Sequence, residues 1–167
     1  MITLVLGGAR SGKSAVAEAL VARHASPVTY VATMDPAGDA ELEARVEAHR
    51  QRRDPSWDTV VVGGDKDLPA LLRALAGTVL VDSLGPWIAR GTTTHPLDLC
   101  AALTTRDGDT VLVSDEVGLA VRPSSAEGRR FRDALGTLNH AVSAAADTVY
   151  LVVAGRPLEL PPVGPPP

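Results

Sequence analysis

The stretch Gly7-Gly8-Ala9-Arg10-Ser11-Gly12-Lys13-Ser14 leaves the rest of the chain little freedom. It fits the pattern GxxxxGK[ST] and lies between an apolar run, Ile2 to Leu6, and a helix-forming run, Ala15 to His24. Strand, glycine-rich loop and helix in that order make a phosphate-binding loop, or P-loop. Backbone N–H groups in such a loop turn inward around an anion, which also meets the positive end of the helix dipole. Lys13 is placed to reach the outer phosphates of a nucleotide, and Ser14 to offer a hydroxyl to Mg²⁺. The chain carries 16 Lys plus Arg, yet only Lys13 and Lys66 are lysines. At this position a compact ammonium fits between phosphate oxygens where a planar guanidinium crowds them.

With 167 residues, the expectation is one domain with one core. Aromatic residues make up only 3% of the chain, so the core must be Val, Leu and Ala. That composition suits an α/β domain of the P-loop type, a mostly parallel sheet flanked by helices. The formal net charge of -4 gives no general reason to expect nucleic acid as a partner. Cys100 is the single cysteine, which rules out an internal disulfide or a thiolate metal cluster. No apolar run is long enough for a membrane span and the N-terminus leads straight into a strand, so the chain reads as cytoplasmic.

Further along, Val28 to Thr33 reads as a second strand whose end delivers Thr33, Met34 and Asp35 either to a nucleotide or to a plain turn. Asp39 to Arg53 reads as a helix, acidic at its start and basic at its end. His49 shares a face there with Leu42 and Val46. It is either a packed residue or, with Arg50, Arg52 and Arg53 beside it, part of a phosphate-attracting patch.

Thr59 to Val62 reads as a buried third strand, and Asp67 caps a helix running to Ala76 with Pro69 in its first turn. Thr78 to Asp82 is an apolar strand ending in a carboxylate, which suits a Walker B element with Asp82 in the Mg²⁺ shell beside Ser14. Leu84 to Asp107 shows no chemistry and only a short possible helix from Leu97 to Leu103. The strand Thr110 to Ser114 delivers Asp115 and Glu116, as a base, as a second metal ligand or as caps of the next turn. Ser124 and Glu127 form a capping box for a helix to about Ala146. A last strand spans Thr148 to Ala154. The domain is expected to span residues 1–157, with 158–167 as a proline-rich tail.

Several of these pieces occur together in one known family. Gly7 to Ser14, Tyr30-Val31-Ala32-Thr33, Arg45-Val46-x-x-His49 with Arg53, Pro55 and Trp57, Glu116-Val117-Gly118, and Arg130-Phe131-Arg132-Asp133 with Gly136 and Asn139 stand in its order and spacing. The chain resembles the bifunctional adenosylcobinamide kinases / adenosylcobinamide-phosphate guanylyltransferases of cobalamin biosynthesis over nearly its whole length.

The resemblance implies two steps. ATP or GTP phosphorylates the aminopropanol hydroxyl of adenosylcobinamide; a histidine then attacks the α-phosphorus of GTP and passes GMP to adenosylcobinamide phosphate. The nucleophile aligns with His49, a chemically suitable carrier because a neutral imidazole nitrogen is nucleophilic and its phosphoramidate reactive. In this reading Lys13, Asp82 and Glu116, placed by their motifs and strand ends, act in catalysis. The loop residues Gly7, Gly8, Ala9, Arg10, Ser11, Gly12, Lys13 and Ser14, with Asp82, hold triphosphate, and Ser14 and Asp82 hold Mg²⁺. Thr33, Met34, Asp35, Arg50, Gln51, Arg52 and Arg53 line the guanine nucleotide, and the assembly is a homotrimer.

Asp115 stands where the family usually has Asn, Val61 near a usual Glu and Arg90 at a usual Asn. Two other readings fit parts of the pattern. One is a plain small-molecule P-loop kinase. The other is a GTP-binding switch, since Asp115 to Gly118 fits DxxG, although the chain contains no Asn-Lys-x-Asp.

Overall fold

The computed structural model describes residues 1–24, 27–34, 47, 54–62, 67–91 and 95–162. In chain order the elements are β1 (Ile2–Gly7), α1 (Lys13–Val21), β2 (Val28–Ala32), β3 (Asp58–Val61), α2 (Leu68–Ala74), β4 (Thr78–Asp82), α3 (Leu84–Ala89), α4 (Pro96–Thr105), β5 (Thr110–Asp115), α5 (Ala126–Ala145), β6 (Thr148–Val153) and β7 (Arg156–Glu159). The helix expected over Asp39 to Arg53, and with it His49, Asp35, Arg50, Gln51, Arg52 and Arg53, lies outside the described residues, Glu47 apart.

The strands form one seven-stranded sheet in the order β3-β2-β4-β5-β1-β6-β7. Every pairing is parallel except β6 with β7. Both faces are covered, so the central strands are apolar at successive positions instead of alternating with polar ones. Val5, Leu80 and Val113 pack with Ala17 and Val21 of α1 on one face. Leu4, Val79, Val81 and Leu112 pack on the other with Leu72, Leu84, Trp87, Leu99, Leu135 and Leu138 from α2 to α5. The α/β class expected from the sequence is the class observed.

Several local expectations need correction. β3 is not a buried strand: it sits at the sheet edge with Asp58, Thr59 and Val61 exposed and Val60 half-buried, and of the expected stretch only Val62 is buried. α5 is capped by Ser125, whose hydroxyl accepts from Gly128 N–H at 3.0 Å, and not by Ser124. The irregular stretch after Asp82 contains α3, capped by Ser83. Gly85 and Pro86 disguise that helix in the sequence. In its first turn a proline costs no hydrogen bond, since N–H groups there have no intrahelical acceptor.

The sheet also continues past residue 157. The chain turns at Ala154 and Gly155, β7 pairs antiparallel with β6 through Glu159, and Leu160 N–H still donates to Val149 O at 2.8 Å. Pro157 is tolerated because, among the described residues, β7 is an outer strand of the sheet.

Candidate nucleotide site

In a parallel sheet the strand ends lie on one side, and here that side collects the polar residues. Gly7 at the end of β1 is level with Asp115 at the end of β5, and Ala32 of β2 is level with Asp82 of β4. Since β5 lies between β1 and β4, Asp82 is one strand removed from the P-loop strand. It is still within reach of the loop: Ser14 Oγ donates to Asp82 Oδ1 at 3.2 Å, and Tyr30 OH donates to Oδ2 of the same carboxylate.

The loop is a tight turn. Ser11 N–H donates to Gly8 O at 3.2 Å, and Ser11 O accepts from Gly155 N–H at 2.7 Å, so the β6–β7 turn props it from below. Gly12 has φ 90° and brings no side-chain cap to α1. A Cβ at Gly12 would be strained by that dihedral and would lie 3.1 Å from Gly155 Cα. Glycine therefore satisfies both the turn and the close approach.

Lys13 Nζ pairs with Asp115 Oδ1 at 2.8 Å and approaches Gly8 O at 3.4 Å. Its side chain is only 12% exposed, against 37% for that of Asp115. The end of β5 is fixed from α5, where Asn139 Nδ2 donates to Asp115 O at 3.0 Å and Asn139 Oδ1 accepts from Ser114 Oγ at 2.6 Å. Asn139 thus acquires a positioning role that its place in the sequence does not reveal.

Glu116 lies elsewhere in the geometry. Its two carboxylate oxygens accept from Gly118 N–H and Leu119 N–H, each at 2.8 Å, so it shapes its own turn. Of the two adjacent carboxylates, Asp115 faces the P-loop lysine. Thr33 is fully buried, and its hydroxyl and Ser83 hydrogen-bond each other, which ties the end of β2 to the end of β4. Thr33 therefore packs in the sheet seam.

A P-loop at the end of a central parallel strand, a carboxylate from the strand next but one against its serine, and helices over both faces define a mononucleotide-binding α/β protein. Residues 3–160 match the family model described as cobinamide kinase / cobinamide phosphate guanyltransferase, and the chain belongs to that family. It is 38% identical to the bifunctional adenosylcobalamin biosynthesis protein CobP of Pseudomonas aeruginosa, over 96% of this chain and 97% of that one. The protein of the same description called CobU is 35% identical in Escherichia coli K12 and 34% in Salmonella typhimurium, each alignment covering 93% of this chain and 97% of the relative. Among the described residues no helix is long and apolar enough to cross a membrane.

Proposed function

We propose that this chain phosphorylates adenosylcobinamide with a nucleoside triphosphate and then transfers GMP from GTP to the new phosphate through a guanylyl-histidine at His49. The observation that carries the reading is the convergence of Lys13, Ser14, Asp82 and Asp115 at the strand ends, in a chain whose family description contains both reactions.

In the first step the acceptor hydroxyl oxygen forms a bond to the γ-phosphorus and gives up its proton to solvent, while the bond from that phosphorus to the β-bridging oxygen breaks. Lys13 neutralises charge on the outer phosphoryl oxygens, and loop N–H groups hold the chain of phosphates. Ser14 Oγ and Asp82 Oδ1, 3.2 Å apart, are hard oxygen donors of the kind that hold Mg²⁺ together with phosphates and water. Bound there, Mg²⁺ would offset phosphate charge. In the second step a ring nitrogen of His49 attacks the α-phosphorus of GTP and pyrophosphate leaves. A phosphate oxygen of the phosphorylated corrinoid then displaces the imidazole. Arg50, Gln51, Arg52 and Arg53, with Met34 and Asp35, are assigned to the guanine nucleotide, and Glu116 to the loop that carries Asp115. The active assembly is a homotrimer, for which light scattering of the eluting protein gives the mass.

The test is incubation with Mg²⁺ and GTP labelled on the α- or the γ-phosphorus. Acid-labile α-label on the protein, lost in His49→Ala, is expected. A folded, GTP-binding wild type that takes up no α-label would sink the transferase half and leave a kinase.

A second expectation concerns Asp115. Its carboxylate occupies the lysine that phosphates need and also repels them, so Asp115→Asn should bind ADP about tenfold more tightly, or about 1.4 kcal/mol. Titration calorimetry reads this directly. An unchanged affinity would mean that the Asp115 charge does not compete with phosphate, and a weaker one that Asp115 assists nucleotide binding.

A further inference from the structure

Lys13 Nζ marks where the outer phosphates end, and Asp115 is paired with it at 2.8 Å. Whatever accepts the γ-phosphoryl group must come in beside that pair. Asp115 also borders Gly85 at the start of α3: a Cβ there would lie 2.8 Å from Asp115 Oδ2 and 3.8 Å from Phe131 Cζ. Carboxylate and aromatic ring thus close on the same buried glycine, where even a methyl group would crowd Asp115. Beyond Phe131 lies a groove of about 900 Å³ between α3 and the first half of α5, with Ile88, Ala89, Phe131 and Ala134 as apolar lining and Arg130 and Asp133 as charged lining. A smaller cavity of about 460 Å³ shares Asp133 and runs to Leu6 and Glu116 at the ends of β1 and β5.

We propose that this groove seats the corrin ring of the acceptor, with its hydroxyl-bearing arm led through the smaller cavity toward the ends of β1 and β5, where the P-loop begins. The assignment rests on the kinase reading above and adds to it the place of the substrate. Three observations favour it. A volume of about 900 Å³ is near the top of the roughly 300–1,000 Å³ range of small-molecule pockets and suits a macrocycle. The lining mixes apolar surface with polar groups, matching a flat ring rimmed by amides. The chain has a single phenylalanine, and it is half-buried, packed against the core on one side and lining this groove on the other. The groove also lies on the face of the sheet opposite α1, which leaves the P-loop side to the nucleotide.

The experiment measures phosphorylation of cobinamide by wild type, Phe131→Ala and Ala134→Arg, together with ADP affinity by calorimetry. Ala134 is on the exposed face of α5, so its variant fills the groove without touching the core; the ADP titration also reports whether Phe131→Ala is folded. The expected result is a KM for cobinamide raised about tenfold or more in both variants, with kcat within about threefold and ADP affinity unchanged. An unchanged KM in both would overturn the assignment, and weakened ADP binding in both would give the groove to the nucleotide instead. A wild type that binds nucleotide but never phosphorylates cobinamide would remove the kinase reading and this site with it.

Discussion

Lys13→Ala is expected to lower kcat for cobinamide phosphorylation by about 10²- to 10³-fold, the usual cost of removing one donor aimed at developing phosphoryl charge. The ammonium is largely buried, so water does not substitute for it fully. Stability should hardly change. The partner left behind, Asp115, is 37% exposed in its side chain and can be solvated, and an ion pair of this exposure contributes little. A folded Lys13→Ala protein with undiminished kcat would show that the outer phosphates are held elsewhere. Single-turnover measurement with saturating nucleotide separates this loss from a change in binding.

Arg106→Ala should cost about 3 kcal/mol of stability, lowering the melting temperature by roughly 6–12 °C for a chain of this size. No sequence motif points to this arginine. Its guanidinium donates to Leu72 O, Leu75 O, Gly77 O, Gly108 O, Asp109 O and Thr110 Oγ1, at distances between 2.6 and 3.4 Å. Two of those carbonyls lie near the C-terminal end of α2, where helix carbonyls lose their intrahelical donors. The others belong to the turns that feed β4 and β5. Burial pulls the guanidinium pKa down, and Asp109 and Asp107 oppose that shift. Arg106→Lys should recover part of the loss only, since an ammonium cannot fan its donors over so many acceptors. Chemical denaturation of the three proteins checks the order; a melting temperature unchanged in Arg106→Ala would mean that water replaces every one of these bonds.

The contrast between Lys13 and Arg106 shows which part of the molecule the sequence discloses. A P-loop is local: its glycines, lysine and serine are adjacent in the chain, so the loop, β1 and α1 can be read directly. Asp82 is legible for the same reason, as the polar end of an apolar run. The corrections arise where a partner is distant or where a breaker residue sits in the permitted place. Glu116 and Asp115 are neighbours in sequence, and only the packing of β5 beside β1 shows that Asp115 meets the lysine. Pro86 and Pro157 look like terminators, yet one occupies a first helical turn and the other an outer strand, where a missing N–H costs nothing. Arg106 contacts mainly backbone oxygens, which every residue has, so no pattern of side chains announces it.

The hydrogen bond from Gly155 N–H to Ser11 O has a consequence for the order of events on the ribosome. The first functional segment to be translated rests on the last turn of the sheet, and β1 has its neighbours in β5 and β6. A nascent chain that has not yet reached β6 contains the whole phosphate-binding motif but lacks the strand and turn that hold it in shape. Nucleotide therefore cannot serve as an early template for folding. Its stabilising effect begins only when synthesis of the domain is almost complete, so until then the growing polypeptide exposes aliphatic strands that nucleotide binding does not help to cover.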